Sequence, residues 1–207
     1  MRFLPVLLLA VAGSTASAAP VAKPLILAYG DSLTAGYNLD RGLGFAPQLQ
    51  ATLRRHGIAA TVADGGVSGD TTTGGRARLG WTLDGLPRTP DLAIVELGGN
   101  DMLRTIDPAI TRANLDAILA ELDRRHIPVL LAGMRAAPNL DTAYRAKFDA
   151  IYPGLAKAHR AALYPFFLDG VAGQAGMQQA DGVHPTFAGV KRIVTGILPR
   201  LLAALGR

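Results

Sequence analysis

The sequence predicts an α/β protein: a parallel β-sheet covered by helices on both faces. Short, almost uninterrupted apolar runs recur along the chain, several of them closed by glycine, as expected of strands buried on both sides. Segments of helical periodicity lie between these runs, the alternation that parallel strand connections require. Small and polar residues gather just after the runs, where ligand sites of open parallel sheets form.

Taken in order, "PLILAYG" (residues 24–30) reads as a first buried strand, and "TVAD" (61–64) as a second, shorter one. "LAIVELGG" (92–99) is β-branched at its centre, and "PVLLAGM" (128–134) repeats the pattern. "LYPFFL" (163–168) reads as a last strand, with Pro165 assigning it to a sheet edge. A helix is predicted over residues 45–56. Asp107 followed by Pro108 reads as an N-cap and first helical residue, opening a helix with Leu115, Ile118, Leu119 and Leu122 on one face. Glu121 and Arg125 are spaced to pair on its exposed side. Residues 142–159 form a further helix, interrupted at Pro153-Gly154. A final helix starts at Pro185, carries Phe187, Val190, Val194, Ile197 and Leu201 on its inner stripe, and is kinked by Pro199.

At 207 residues, 49% hydrophobic and 18% charged, the chain is sized and composed for one globular domain. Its net charge of +5 comes from scattered cations with no basic run interleaved with aromatics, so no nucleic-acid partner is expected. Residues 1–18 have the layout of an export signal: Arg2, an apolar core from residue 4 to 12, and Ala16-Ser17-Ala18 as a cleavage site. The domain then covers residues 19–207, exported to the periplasm or secreted. The apolar core is too short to span a bilayer, and no stable membrane insertion is expected. The chain contains no cysteine, which excludes disulfides, thiolate metal sites and a cysteine nucleophile.

Four polar clusters stand where loops would converge: Gly30-Asp31-Ser32, residues 65–72, residues 98–101, and Asp181-Gly182-Val183-His184. Ser32, directly after a strand, can cap a helix or act as a nucleophile. A serine nucleophile needs a base within about 2.6–3.2 Å, itself oriented by a third group. His184 can be that base, and Asp181, three residues earlier, can hold its Nδ1–H. The backbone N–H groups of Ser32 and Gly69 and the side-chain amide of Asn100 are candidate donors to an oxyanion. The order serine, aspartate, histidine is that of α/β-hydrolases, but the G-x-S-x-G elbow is absent.

"GDSLTAGY", "GGVSGDT", "ELGGND" and "DGVHP" together resemble, in order, the four diagnostic blocks of the GDSL or SGNH hydrolase superfamily. The similarity is to its bacterial thioesterase, arylesterase and lysophospholipase branch, and runs through the whole mature chain. The resemblance implies a flavodoxin-like, three-layer αβα sandwich with five parallel strands in the order 2-1-3-4-5. It implies Ser32 as nucleophile and first oxyanion donor, Gly69 and Asn100 as the other donors, and Asp181 and His184 as the rest of a triad. Asp64 stands where the second block usually opens with asparagine.

In that branch the loops after the third and fourth strands line the acyl pocket, here residues 102–106 and 134–140. Met102, Leu103, Met134 and Pro138 are the corresponding candidates. His56, His126 and His159 read as structural or exposed. No zinc-type histidine pairing and no phosphate loop ending in lysine is present, so no metal and no cofactor are expected. The expected partner is a small-molecule or lipid-like acyl ester, and the expected state a monomer or small homo-oligomer. A carbohydrate O-deacetylase and a catalytically silent binding module are the competing readings.

Overall fold

A computed structural model describes residues 23–206. The predicted signal at residues 1–18 lies outside them. Strands β1 (Leu25–Gly30), β2 (Thr61–Gly66), β3 (Leu92–Glu96), β4 (Val129–Ala132) and β5 (Ala162–Tyr164) form one all-parallel sheet in the order β2-β1-β3-β4-β5. β1 and β3 are buried along their whole length, as their apolar runs require. The expected five-stranded α/β sandwich is therefore the observed one.

The helices are α1 (Ser32–Ala35), α2 (Phe45–Arg55), α3 (Thr72–Asp84), α4 (Gly99–Leu103), α5 (Pro108–Arg124), α6 (Thr142–Asp149), α7 (Ile151–Ala158) and α8 (Phe187–Ala204). α2 packs with α8, while α3, α6 and α7 pack around α5. Fully buried Phe45 of α2 meets Phe167 edge-on at 5.1 Å, fixing that helix beside the end of the sheet. Asp107 caps α5 through Ala109 N at 2.9 Å, with Pro108 at the first helical position. The Glu121–Arg125 pair forms at 2.7 Å, and Arg125 also reaches Asp84, tying α5 to α3.

Four local expectations are corrected. β5 ends at Tyr164 and does not run on to Leu168: Pro165 has no N–H to give, and the chain re-engages only where Phe167 N donates to Gly133 O at 2.8 Å. Its edge position is as expected. The break in the 142–159 helix falls at Ala150, because Pro153 is tolerated only in a first turn, and it occupies the third residue of α7. α8 begins at Phe187 with Thr186 as its cap, and its helical assignment continues through Pro199 to Ala204. Phe187 is exposed and does not share the inner stripe, which Val190, Ile193, Val194, Ile197, Leu198 and Leu201 make up.

The sheet order also locates the site. The chain passes from β1 to β2 on one side and then to β3 on the other, so a crevice opens beyond the carboxyl ends of β1 and β3. Gly30 lies in register with Gly66 and Glu96, so three strands end level there.

Candidate active site

The turn from β1 into α1 sets Ser32. Gly30 leaves no room for a side chain, since a Cβ there would lie 2.6 Å from the Glu96 carbonyl and closer still to Thr34. Asp31 is the N-cap of α1, its Oδ1 accepting from Leu33 N at 2.9 Å. The cap is therefore Asp31, not Ser32. Ser32 is the first helical residue, so its hydroxyl is free for other work and its N–H is one of the donors that a helix start leaves unpaired.

The hydroxyl is used across the crevice. Ser32 Oγ and His184 Nε2 are 2.9 Å apart, though 152 residues separate them in sequence. His184 Nδ1 lies 2.7 Å from Asp181 Oδ2. Asp181 Oδ1 also accepts from Val183 N at 2.9 Å and His184 N at 3.0 Å, so one carboxylate shapes the turn and orients the ring. The hydrogen bond from His184, with those two backbone donors, holds the Asp181 carboxyl down at about 2. The ionised carboxylate accepts the Nδ1 proton, leaving Nε2 as an acceptor towards Ser32. The Tyr37 ring lies over the imidazole, its centroid 4.4 Å away and tilted by 36°.

Gly69 takes a left-handed φ of 84°, which a glycine adopts without penalty. Its N–H and that of Ser32 meet no protein acceptor among the described residues. Asn100, on α4, uses Nδ2 to donate to Asp31 Oδ2 at 3.1 Å and to Asp70 O at 2.9 Å. A carbonyl can only accept, so the amide nitrogen faces Asp70. Asn100 is thus linked to Asp31, the cap of α1, on one side and to the neighbour of Gly69 on the other. α4 itself is held by buried Asp101, which accepts from Thr72 N at 2.8 Å and from the hydroxyls of Thr72 and Thr111. Asp64, the departure noted in the second block, accepts from Gly66 N at 2.9 Å at the end of β2, a contact that the asparagine amide oxygen would make equally well.

Behind Ser32 lie two buried acids. Burial raises Asp31 to about 6 against the hydrogen bonds from Leu33 and Asn100 and the nearby His184. Burial and then the Asp31 charge push fully buried Glu96 well above its ordinary range. Glu96 Oε2 accepts from Thr34 Oγ1 at 2.8 Å, while Oε1 has no partner among the described residues. An acid whose folded pKa is raised takes up a proton on folding between its ordinary and raised values, so its contribution falls as pH climbs through that window. Glu96→Gln removes this dependence without changing shape. Thermal melts are expected to show the variant gaining stability relative to wild type as pH rises above the ordinary carboxylate range; a pH-independent difference would contradict this assignment.

A hollow of about 500 Å³ opens beside the serine, starting at Leu33 and Val183, the neighbours of Ser32 and His184. Met102, Leu103, Met134 and Pro138, the predicted pocket residues, all line it. Phe166 and Arg135 also line it, the guanidinium 5.0 Å from the ring centroid. Arg135 belongs to the 134–140 loop expected to line the pocket, whereas Phe166 falls in the segment read as the last strand and was missed. Sequence reasoning also missed the structural parts played by Asp31 and Tyr37. Only Asp31, beside the serine in a glycine-led turn, carried a readable capping signal.

A five-stranded 2-1-3-4-5 sheet with a hydrogen-bonded serine, histidine and aspartate at its switch point has the build of a flavodoxin-like hydrolase. The chain belongs to the GDSL-like lipase/acylhydrolase family, which it matches over residues 28–192, and is a carboxylic ester hydrolase. It is 38% identical to esterase TesA of Pseudomonas aeruginosa over 180 residues, covering 87% of this chain and 89% of that one. It is 35% identical to thioesterase 1/protease 1/lysophospholipase L1 of Escherichia coli strain K12 over 182 residues, covering 88% and 83%. Among solved structures it is similar to AlinE4, an SGNH-hydrolase family esterase, at 50% identity and a TM-score of 0.76, covering 90% of this chain and 98% of that one. Among the described residues no helix is long and apolar enough to cross a membrane.

Proposed function

We propose that the protein is an exported serine esterase that cleaves aryl and acyl esters, and acyl thioesters and lysophospholipids with them, through an acyl-enzyme on Ser32. The observation that carries this reading is the unbroken contact from Ser32 Oγ through the His184 ring to Asp181, at 2.9 and 2.7 Å. His184 Nε2 takes the hydroxyl proton as Oγ attacks the carbonyl carbon, and Asp181 stabilises the resulting imidazolium. The N–H groups of Ser32 and Gly69 and the Asn100 amide receive the negative charge on the former carbonyl oxygen. His184 then returns the proton to the departing alcohol or thiol. In the second half it takes a proton from water as the water attacks the acyl carbon, then gives that proton to Ser32 Oγ as the acid leaves. No step calls for a cofactor. The names of the relatives, esterase and thioesterase 1/lysophospholipase L1, support the substrate range.

The apolar walls of the adjoining hollow suit the acyl chain. p-Nitrophenyl esters from acetyl to palmitoyl test the reading directly: turnover extending beyond acetyl is expected, whereas hydrolysis confined to acetyl would favour a deacetylase. Ala137 lines the hollow. Ala137→Phe is therefore expected to lower kcat/KM for long-chain esters about tenfold while leaving acetyl ester within twofold, on the scale of a few methylene contacts. An unchanged chain-length profile would remove this hollow as the acyl site. Export rests on residues 1–18, and N-terminal sequencing of the secreted protein is expected to begin at Ala19.

A further inference from the structure

We propose that Gln179 is a positioning residue that sets the separation of Ser32 and His184. The proposal rests on reading those two as nucleophile and base. His184 lies in a long connection between β5 and α8 whose regular pairing is limited to one antiparallel bridge, Gln178 with Pro185, and which takes left-handed turns at Gly170, Gly173, Gly176 and Gly182. Such a segment does not by itself hold a side chain to a fraction of an ångström, yet the base must be placed that closely.

Gln179 supplies the restraint. Its side-chain Nε2 donates to Tyr37 O at 2.9 Å and to Pro185 O at 3.0 Å, and its Oε1 accepts from Asn38 Nδ2 at 3.1 Å. Its backbone N donates to His184 O at 2.7 Å, and its carbonyl accepts from Gly182 N at 3.0 Å. Both amide protons and the amide oxygen are therefore used, all on the two segments that must meet. On the other side, Tyr37 N donates to Ser32 O at 3.0 Å. A hydrogen-bonded path thus runs from the carbonyl of Ser32 through Tyr37 and Gln179 to the carbonyl of His184. The Ser32 Oγ–His184 Nε2 contact closes it into a ring, with the Tyr37 aromatic face lying on the imidazole. Asn38 reaches its place with a left-handed φ of 56°, a conformation asparagine tolerates better than most residues.

Gln179→Ala removes the side-chain bridge, and Gln179→Glu sets a carboxylate against two carbonyls while keeping the Asn38 contact. Both are expected to lower kcat about 10- to 100-fold with KM within twofold and little change in Tm, as for a small misplacement of reacting groups. Asn38→Gly keeps the backbone conformation, and its loss is expected not to multiply with that of Gln179→Ala, since both break one bridge. The low-field proton resonance of His184 Nδ1–H reads the same restraint without turnover. It is expected to be sharp in wild type and broadened by exchange in Gln179→Ala. Retained kcat, multiplying losses, or an unchanged resonance would each overturn the proposal. Absence of ester turnover in the wild type would instead sink the esterase reading, leaving the resonance to decide the role of Gln179.

Discussion

Ser32→Ala is expected to lower kcat for ester hydrolysis by about 10⁴- to 10⁶-fold, the scale seen when a serine nucleophile is removed. KM and Tm are expected to stay near wild type. The structural reason is specific: Asp31, not Ser32, caps α1, so alanine at the first helical position takes away a hydroxyl and no cap. The Ser32 and Gly69 N–H groups remain, so the small residual rate reports binding and oxyanion stabilisation alone. Steady-state kinetics with p-nitrophenyl butyrate, beside a thermal melt, measure both quantities. A variant that keeps more than a hundredth of the wild-type kcat would remove Ser32 from the nucleophile's role.

The second large effect is expected at Asp181. In Asp181→Asn the remaining oxygen can still accept from Val183 N and His184 N, so the turn survives. The new amide then faces His184 Nδ1 with donors where an acceptor stood. The ring answers by moving its proton to Nε2, which points a donor at Ser32 and removes the base. The expected loss in kcat is about 10²- to 10⁴-fold. The side chain is 40% exposed, so water can orient part of the population and the effect falls below that of the serine. An Asp181→Asn enzyme of wild-type kcat would show that backbone contacts alone hold the histidine.

The parts of the site that were legible in the sequence share one property. Ser32, Asn100 and His184 stand in short polar blocks directly after buried strands or before a helix, where residue type and position carry the signal together. The strands β1 and β3 were legible because burial on both faces forces an uninterrupted apolar run. Helix α3 was not: Gly74, Gly75 and Gly80 lower its intrinsic helicity by roughly 1 kcal/mol each, and only Thr72, Gly75, Leu79 and Leu83 face inward. No element is read there, because tertiary packing, not propensity, makes it a helix. Gln179 was illegible for a different reason. A glutamine bridging residues 37, 38 and 185 has no local pattern, since its partners are mostly backbone atoms supplied by the fold. The same holds for Glu96, which reads as the end of a strand, whereas burial beside Asp31 raises its carboxyl pKa.

The central claim is that acyl transfer passes through Ser32 Oγ. Rapid acid quenching during turnover of a slow ester, followed by peptide mass mapping, tests it most directly. The account predicts an acyl mass increment on the peptide carrying Ser32, absent from Ser32→Ala and accumulating in the first turnover. An increment on any other residue, or undiminished turnover with no increment on Ser32, would contradict it.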